Sequence, residues 1–478
     1  MGGDSRQRTA LGVSLTLVLL VTGVIARSAL GAADGNRLDL AASANASGGE
    51  ANPADTGGVL HLTLADAVTQ GLEHNLAGLL AATDVRSAEG QWWLARRGLL
   101  PSVNLTAGFD RLKINLEAYG FPVTPGESPL IGPFNVVDER VAVSQPLFDL
   151  SAVETARAGR EVVRAAQASQ GDMREVVVVA VAALYLRAAA ADSRIQVARA
   201  QLATARALEQ RARDMKDSGM VPGIDVLRAG VQLATQEQRL VAAENEGLKA
   251  KLELARAVGI PLERELVLDD EGVRQPPPEV TLDEALARAR AERRDLAVAR
   301  ARLAAAEASR RAAGAAHLPT LLLSADWGKI GNDLPSAKTT YSAAAGLRLP
   351  LLAAGEIHGR RLMAAAEEAR MRALLADAEV GVEQDVRESS ADLESARRKL
   401  NVAEGARELA RQQLTQADDR FAAGVTNNLE VVQAQEALAS ASDAAISARF
   451  EVDMAVVSLA RAMGAAEHNA VRYLGGQP

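Results

Sequence analysis

The sequence predicts a mainly helical protein of long antiparallel hairpins, with four β-strands of membrane-spanning length per chain. Three observations lead there. Apolar residues make up 48% of the 478 residues but aromatic residues only 3%. Large rings dominate ordinary globular cores, whereas Ala, Leu and Val mixed with Arg, Glu and Gln suit helices packed closely side by side. An ordered set of motifs occurs twice along the chain. Each copy also holds two segments of period-two alternation, at equivalent points.

The amino end reads as an address. Arg6 and Arg8 precede an apolar run from Leu11 to Ile25, and Gly31-Ala32-Ala33 offers a small-residue cleavage site. The run is too short for a confident membrane span, which needs about 20 residues, and fits a secretory signal over 1–33. An inner-membrane anchor is the alternative. Residues 34–58, rich in Gly, Ala, Ser and Asn, read as a disordered linker. No later stretch is expected to form a membrane-crossing helix, so a membrane hold has to come from strands.

Two tandem repeats follow, 59–261 and 280–465, joined by a linker at 262–279 and closed by a tail at 466–478. Leu62-Thr-Leu-Ala-Asp-Ala-Val68 is similar to Val280-Thr-Leu-Asp-Glu-Ala-Leu286, and Leu100-Pro101-Ser102 to Leu318-Pro319-Thr320. Further on, Pro146-Leu147 matches Pro350-Leu351, Gly219 matches Gly424, and Ala255-Arg-Ala-Val-Gly259 matches Ala460-Arg-Ala-Met-Gly464. The spacing shortens between the first pair of strands, so the first copy carries an insertion, about 114–136, expected as an extracellular loop.

Each repeat opens with one helix, 64–98 or 282–316, that stops before a proline. Extended segments follow at 101–113 and 137–147, and at 320–330 and 339–349. In the first, Val103, Leu105, Ala107 and Phe109 alternate with Asn104, Thr106 and Asp110, giving one apolar and one mixed face. A long helix comes next, 151–217 or 353–421, then a glycine-centred turn and a closing helix. At 1.5 Å per residue the long helices span on the order of 100 Å and the short ones about 52 Å. Short helices stacked in pairs beside long ones are therefore the natural packing. Ile224, Leu227, Val231, Ala234, Val241, Leu248, Leu252 and Ala255 recur at coiled-coil spacing, which predicts the seam of the first closing helix. Gln238 and Asn245 interrupt it.

The strand segments weigh against a purely helical periplasmic scaffold or adaptor, the alternative reading. They have the length of outer-membrane strands. Four strands cannot close a membrane barrel, because the smallest have about eight, and an open sheet edge is not tolerated in lipid. Several chains must then share one barrel.

With these residues in view, the chain resembles the TolC-like outer-membrane efflux proteins over about residues 60–465. The resemblance rests on the duplicated Leu-Thr-Leu-x-x-Ala start, the helix–strand junctions at Pro101, Pro146, Pro319 and Pro350, the Gln145-Pro-Leu-Phe148 run, and both tip turns. It implies a homotrimer with a twelve-stranded barrel in the outer membrane and a helical tunnel through the periplasm. It further implies a passive exit duct, not an enzyme, docked to a periplasmic adaptor (membrane fusion protein) and an inner-membrane pump.

The tip turns carry the site expectations. Glycine permits the tight reversal, and Gly219, Met220, Val221, Gly424, Val425 and Thr426 would present small apolar knobs for docking. One turn beyond each tip stand Asp225 and Glu430, with Gln433 nearby. The resemblance places these at a closed periplasmic aperture, where threefold symmetry would gather like charges into a ring. First-turn acids stabilised by the helix dipole are the alternative. Other chemistry is weakly represented. The chain has no cysteine, which excludes disulfides, thiolate metal sites and an N-terminal lipid anchor. Its five histidines show no ligand spacing, so no cofactor or metal is expected. A net charge of −8 with few aromatics argues against nucleic acid.

Overall fold

The computed structural model describes residues 59–124, 126–269, 280–351 and 354–467. The signal and linker expected over 1–58, residues 270–279 of the inter-repeat linker and nearly all of the tail lie outside these. β1 (Leu60–Leu62) leads into α1 (Leu64–His74) and α2 (Leu76–Arg96), then β2 (Ser102–Asn115) and β3 (Leu130–Phe148). Next come α3 (Leu150–Asp217), α4 (Gly223–Val258) and β4 (Leu266–Leu268). The order recurs in α5 (Leu282–Glu292), α6 (Arg294–Ala315), β5 (Thr320–Gly331), β6 (Lys338–Arg348), α7 (Ala354–Ala422) and α8 (Asn428–Ala462). The short strands β1 and β4 pair in parallel.

The helix expected to open each repeat is two helices, not one. Thr63 and Thr281 start the first of each with a capping box, closed by Asp66 and Glu284 and stabilising by about 1 kcal/mol. The chain then breaks at Asn75 and at Arg293, each in an extended conformation. Asn75 closes α1 and starts α2 by accepting from the Ala77 N–H at 3.0 Å. Arg293 is held by Asp295 at 2.6 Å and Asp385 at 2.7 Å. The breaks fall where the closing helices end. A Cβ on Gly259 (φ 77°) would lie 2.7 Å from His74, and one on Gly464 (φ 74°) 2.7 Å from the Arg293 nitrogen. Packed one after the other along α3, α2 and α4 thus act as the stacked short pair that the lengths require.

The helices form two rows. On the strand side of the breaks the order is α2–α3–α6–α7; on the tip side it is α7–α8–α3–α4. The main core sits between these levels, where Val177, Val178, Val181, Ala182, Tyr185 and Leu186 of α3 meet α1, α7 and α8. Gly71 lets α1 approach so closely that a Cβ there would stand 2.6 Å from Val181 Cγ2. This explains a departure from expectation. One window of α3 is apolar enough to cross a membrane, yet Val177, Val178 and Val181 there are core of the helical bundle.

The α4 seam also differs. Ile224, Leu227, Val231, Ala234, Val241, Leu248 and Leu252 face away from α3 and are exposed, as are Gln238 and Asn245. The face that meets the protomer is smaller and more polar, with Ala229, Gln232, Gln236, Gly247, Ala250 and Leu254. Heptad spacing marks a packing stripe, but the protomer does not itself cover it.

β2, β3, β5 and β6 form one antiparallel sheet in that order. The insertion between β2 and β3 is sheet at both ends and a connection between them. Both strands run on into it, so the connection shortens to 116–129, and register shifts beyond Leu112. Pro146 is not at a strand end but at a bulge inside β3, where its missing N–H is tolerated. Asp149 starts α3 by accepting from Ala152 N at 2.9 Å. Gln145 joins two junctions, donating to the Leu99 carbonyl at 3.1 Å. Pro101 and Pro319 precede β2 and β5, and Pro350 follows β6, as expected.

Cross-strand pairing fixes two faces. One carries Val103, Leu105, Ala107 and Phe109 of β2, Val137, Val141 and Val143 of β3, Trp327 of β5 and Tyr341 of β6. The other carries Asn104, Thr106, Asp110, Asp138, Arg140, Asp326, Thr340 and Ser342. There Arg140 reaches across to Asp326 and also pairs with Asp138 at 3.3 Å.

Candidate functional site at the helical tips

Both tip turns share one geometry. Each has glycine in the left-handed region, Gly219 at φ 74° and Gly424 at φ 68°, a conformation that costs other residues. After it, Met220 N–H returns to the Met215 carbonyl at 2.8 Å and Val425 N–H to Arg420 at 3.0 Å. These closures satisfy carbonyls left orphaned at the ends of α3 and α7. Entry into α8 is capped by Asn427, which accepts from Leu429 N at 3.1 Å.

The knobs are unequal. Met220 is 66% exposed and Val425 70%, so both project from the ends of the hairpins. Val221 instead packs against a small cluster of Leu208, Met215, Ala417, Phe421, Val431 and Ala434. Thr426 is half-buried and its hydroxyl donates to Glu430.

The aperture residues also diverge. Asp225 is 3% exposed. Arg228, one turn on, covers its carboxylate at 3.2 Å. Its carbonyl accepts from the buried Asn428 amide at 2.9 Å, which ties one tip to the other. Glu430 is half-exposed and paired with Arg420 at 3.2 Å. Gln433 is exposed. Each acid therefore has a cation from its own protomer. Arg228 was legible as an i+3 partner, whereas Arg420 comes from the other side of the turn.

Sequence reasoning misses a second constellation, a polar layer between the tip cluster and the main core. Gln232, Gln236, Gln435 and Ser442 are buried. Glu436 of α8 accepts from Gln232 at 3.0 Å and from both Arg239 guanidinium nitrogens, at 3.1 and 2.7 Å. Burial works to raise the Glu436 carboxyl, but the Arg239 and Gln232 hydrogen bonds and the Arg239 charge outweigh it. They hold the group below its ordinary value. Asp418 of α7 moves the other way: burial pushes it up, against the attraction of Arg211 at 3.9 Å. Charge-assisted, forked bonds of this kind fix geometry strongly, so Arg239–Glu436 clamps α4 to α8. The detectable signal was the pair of glutamines four residues apart on α4, at positions that helical periodicity buries.

Among the described residues no group of three or more His, Asp or Glu side chains is placed to hold a metal ion. What it can do is hold two hairpins together by a few breakable polar links, around an end stabilised by a small apolar cluster.

Comparison with known proteins agrees with this geometry. The family model for the outer membrane efflux protein matches residues 68–260 and 285–465. The pyoverdine export outer membrane protein OpmQ of Pseudomonas aeruginosa is 25% identical over 392 residues, covering 80% of this chain and 81% of that one. Among solved structures, the Campylobacter jejuni outer membrane channel CmeC superposes with a TM-score of 0.73 at 17% identity, over 84% of this chain and 86% of that one. The Vibrio cholerae outer membrane protein VceC gives 0.72 at 19% identity, over 85% and 97%.

Proposed function

The chain belongs to the outer membrane efflux protein family, and from that premise we propose that three copies close into one passive exit duct. It is an outer-membrane channel protein that extends into the periplasm, and not an enzyme. In the proposed trimer the three four-stranded sheets make a twelve-stranded barrel, and the helical rows make the tunnel wall. The exposed tips, Met220 and Val425 first among them, meet a periplasmic adaptor that couples the duct to an inner-membrane pump.

One observation carries the reading. Every layer of the protomer is open along the same two edges. β2, α2 and α4 terminate their rows on one edge; β6 and α7 terminate theirs on the other. An open strand edge cannot stand in lipid, and four strands cannot close alone. The helical edges carry matching apolar stripes: Leu227, Val231, Val241 and Leu248 on α4, Val402 and Leu409 on α7. Val241 lies about 27 Å from the tip end of α4 and Val402 about 30 Å from that of α7, at 1.5 Å rise. The two stripes would therefore meet level with each other if α4 of one copy lay beside α7 of the next. A purely periplasmic scaffold, the alternative from sequence, has no use for the open four-stranded sheet.

In the same reading the tips form the closed aperture. Glu430 and Gln433 stand nearest its opening, and Asp225, buried under Arg228, anchors one hairpin to Asn428 of the other. The cargo of a passive duct is chosen by its pump; pyoverdine, named for the OpmQ relatives, is one candidate.

The cysteine-free chain gives a clean test. Val241→Cys together with Val402→Cys, treated in intact cells with a short bis-maleimide, is expected to give covalent trimers. Linkage confined to single chains would overturn the proposed ring.

A further inference from the structure

Cross-strand register gives the apolar sheet face a definite height. Its far ends are Leu321 opposite Leu347 near the helices and Phe109 opposite Val137 near the loops. Between them lie roughly 33 Å of strand. At a tilt of about 40° this is ~25 Å of height, the thickness of an outer-membrane apolar band. Trp327 directly opposite Tyr341 lies within it. So do Glu139 and Lys329, opposite charges facing each other on one rung.

The alternation of β2 does not stop at Phe109. The next two residues on the same face are Arg111 and Lys113. They stand two and four residues beyond Phe109, at the loop end of the apolar band, with Lys113 at the register shift between Leu112 and Ile114. Arg111 is opposite Asn135, so no carboxylate answers it across the strand pair. Neither side chain makes an ion pair or hydrogen bond among the described residues, although most arginines of the helices are paired. On the opposite face of the sheet, by contrast, Arg140 is fully engaged by acids.

We infer that Arg111 and Lys113 form an outward-facing site for the phosphate groups of lipids in the outer leaflet. The inference rests on the reading that this face meets lipid. Two cations spaced along one strand, just beyond a band of membrane thickness, sit where a phosphorylated headgroup lies. Each cation near such a surface adds to the attraction. A threefold assembly would repeat the site around the rim. Arginine supplies a forked donor set to phosphate and lysine a point charge.

The test uses the full-length protein purified from outer membranes and placed in neutral-lipid nanodiscs. Diphosphorylated lipid A is the probe, with bound lipid counted by native mass spectrometry. The wild type is expected to hold lipid A at least fivefold more tightly than its dephosphorylated form. Arg111→Ala with Lys113→Ala should abolish that preference, and Arg111→Lys with Lys113→Arg should restore most of it. Equal binding of the two lipid forms by the wild type would overturn the site, even if the alanine variant failed to assemble. Displacement of lipid A by equimolar inorganic phosphate would overturn the assignment to lipid. A wild-type chain absent from outer-membrane fractions would instead refute the lipid-facing reading itself.

Discussion

Replacing Phe421 by alanine isolates the stability of the tips from that of the tunnel. Phe421 is fully buried at the centre of the tip cluster. Its neighbours there are Leu208, Met215, Ala417, Val431 and Ala434, with Val221 and Leu414 on the margin. Deleting a buried phenyl ring costs about 3–5 kcal/mol in transfer and cavity terms. The polar layer of Gln232, Gln236, Gln435 and Glu436 separates this cluster from the main core, so the loss should appear as local opening. At roughly 1.4 kcal/mol per factor of ten, tip amides should exchange about 100- to 4000-fold faster. Hydrogen exchange read by mass spectrometry is the assay, with the Met220 and Val425 amides as reporters, since each closes its turn onto α3 or α7. Phe421→Leu conserves most of the volume and should cost less than ~1.5 kcal/mol. Unchanged exchange at the tips would refute the cluster's role. Faster exchange spread evenly to Val178 and Tyr185 would refute the separation into two stability units.

Gly464→Val should destabilise the whole bundle by at least about 1–3 kcal/mol, because a side chain there needs a left-handed backbone and meets the Arg293 backbone; an unchanged thermal midpoint would refute it. The Arg239–Glu436 clamp should be acid-labile. The Glu436 carboxyl titrates below its ordinary value, so the clamp's contribution is full above the unfolded value of 4.5 and is lost as pH falls through the lower folded value. Glu436→Gln should remove that acid step from the tip's exchange rate, and its persistence would assign the step elsewhere. Arg420→Ala leaves Glu430 without its cation and should make the pore more cation-selective in planar bilayers; unchanged reversal potentials would remove Glu430 from the aperture.

The long helices, the strands and both tip turns were legible because their signals are local. Period-two alternation marks β2 from Val103 to Phe109, and glycine marks each reversal. The breaks at Asn75 and Arg293 were not legible, since each depends on a remote chain end, Gly259 or Gly464, pressing against it. The heptad stripe on α4 was legible, but the protomer leaves it exposed. Heptad spacing encodes a seam without encoding which helix covers it, and the intrachain face of α4 is marked by small residues and glutamines instead. At the site, Asp225 and Glu430 could be located because they sit at fixed distances from the glycines. Arg228, an i+3 neighbour of Asp225 on α4, was legible with it, whereas Arg420 reaches Glu430 across the turn and the Glu436 clamp depends on how two hairpins cross, which no spacing along one helix reveals.

The central claim is that the open edges of one protomer are closed by identical copies. Imaging the detergent-purified particle by electron cryomicroscopy at side-chain resolution tests it most directly. Three chains are expected, with β2 of each hydrogen-bonded to β6 of the next and Val241 of α4 level with Val402 of the neighbouring α7. A particle in which β2 or β6 remains unpaired, or in which the α4 stripe faces open solvent, would contradict it.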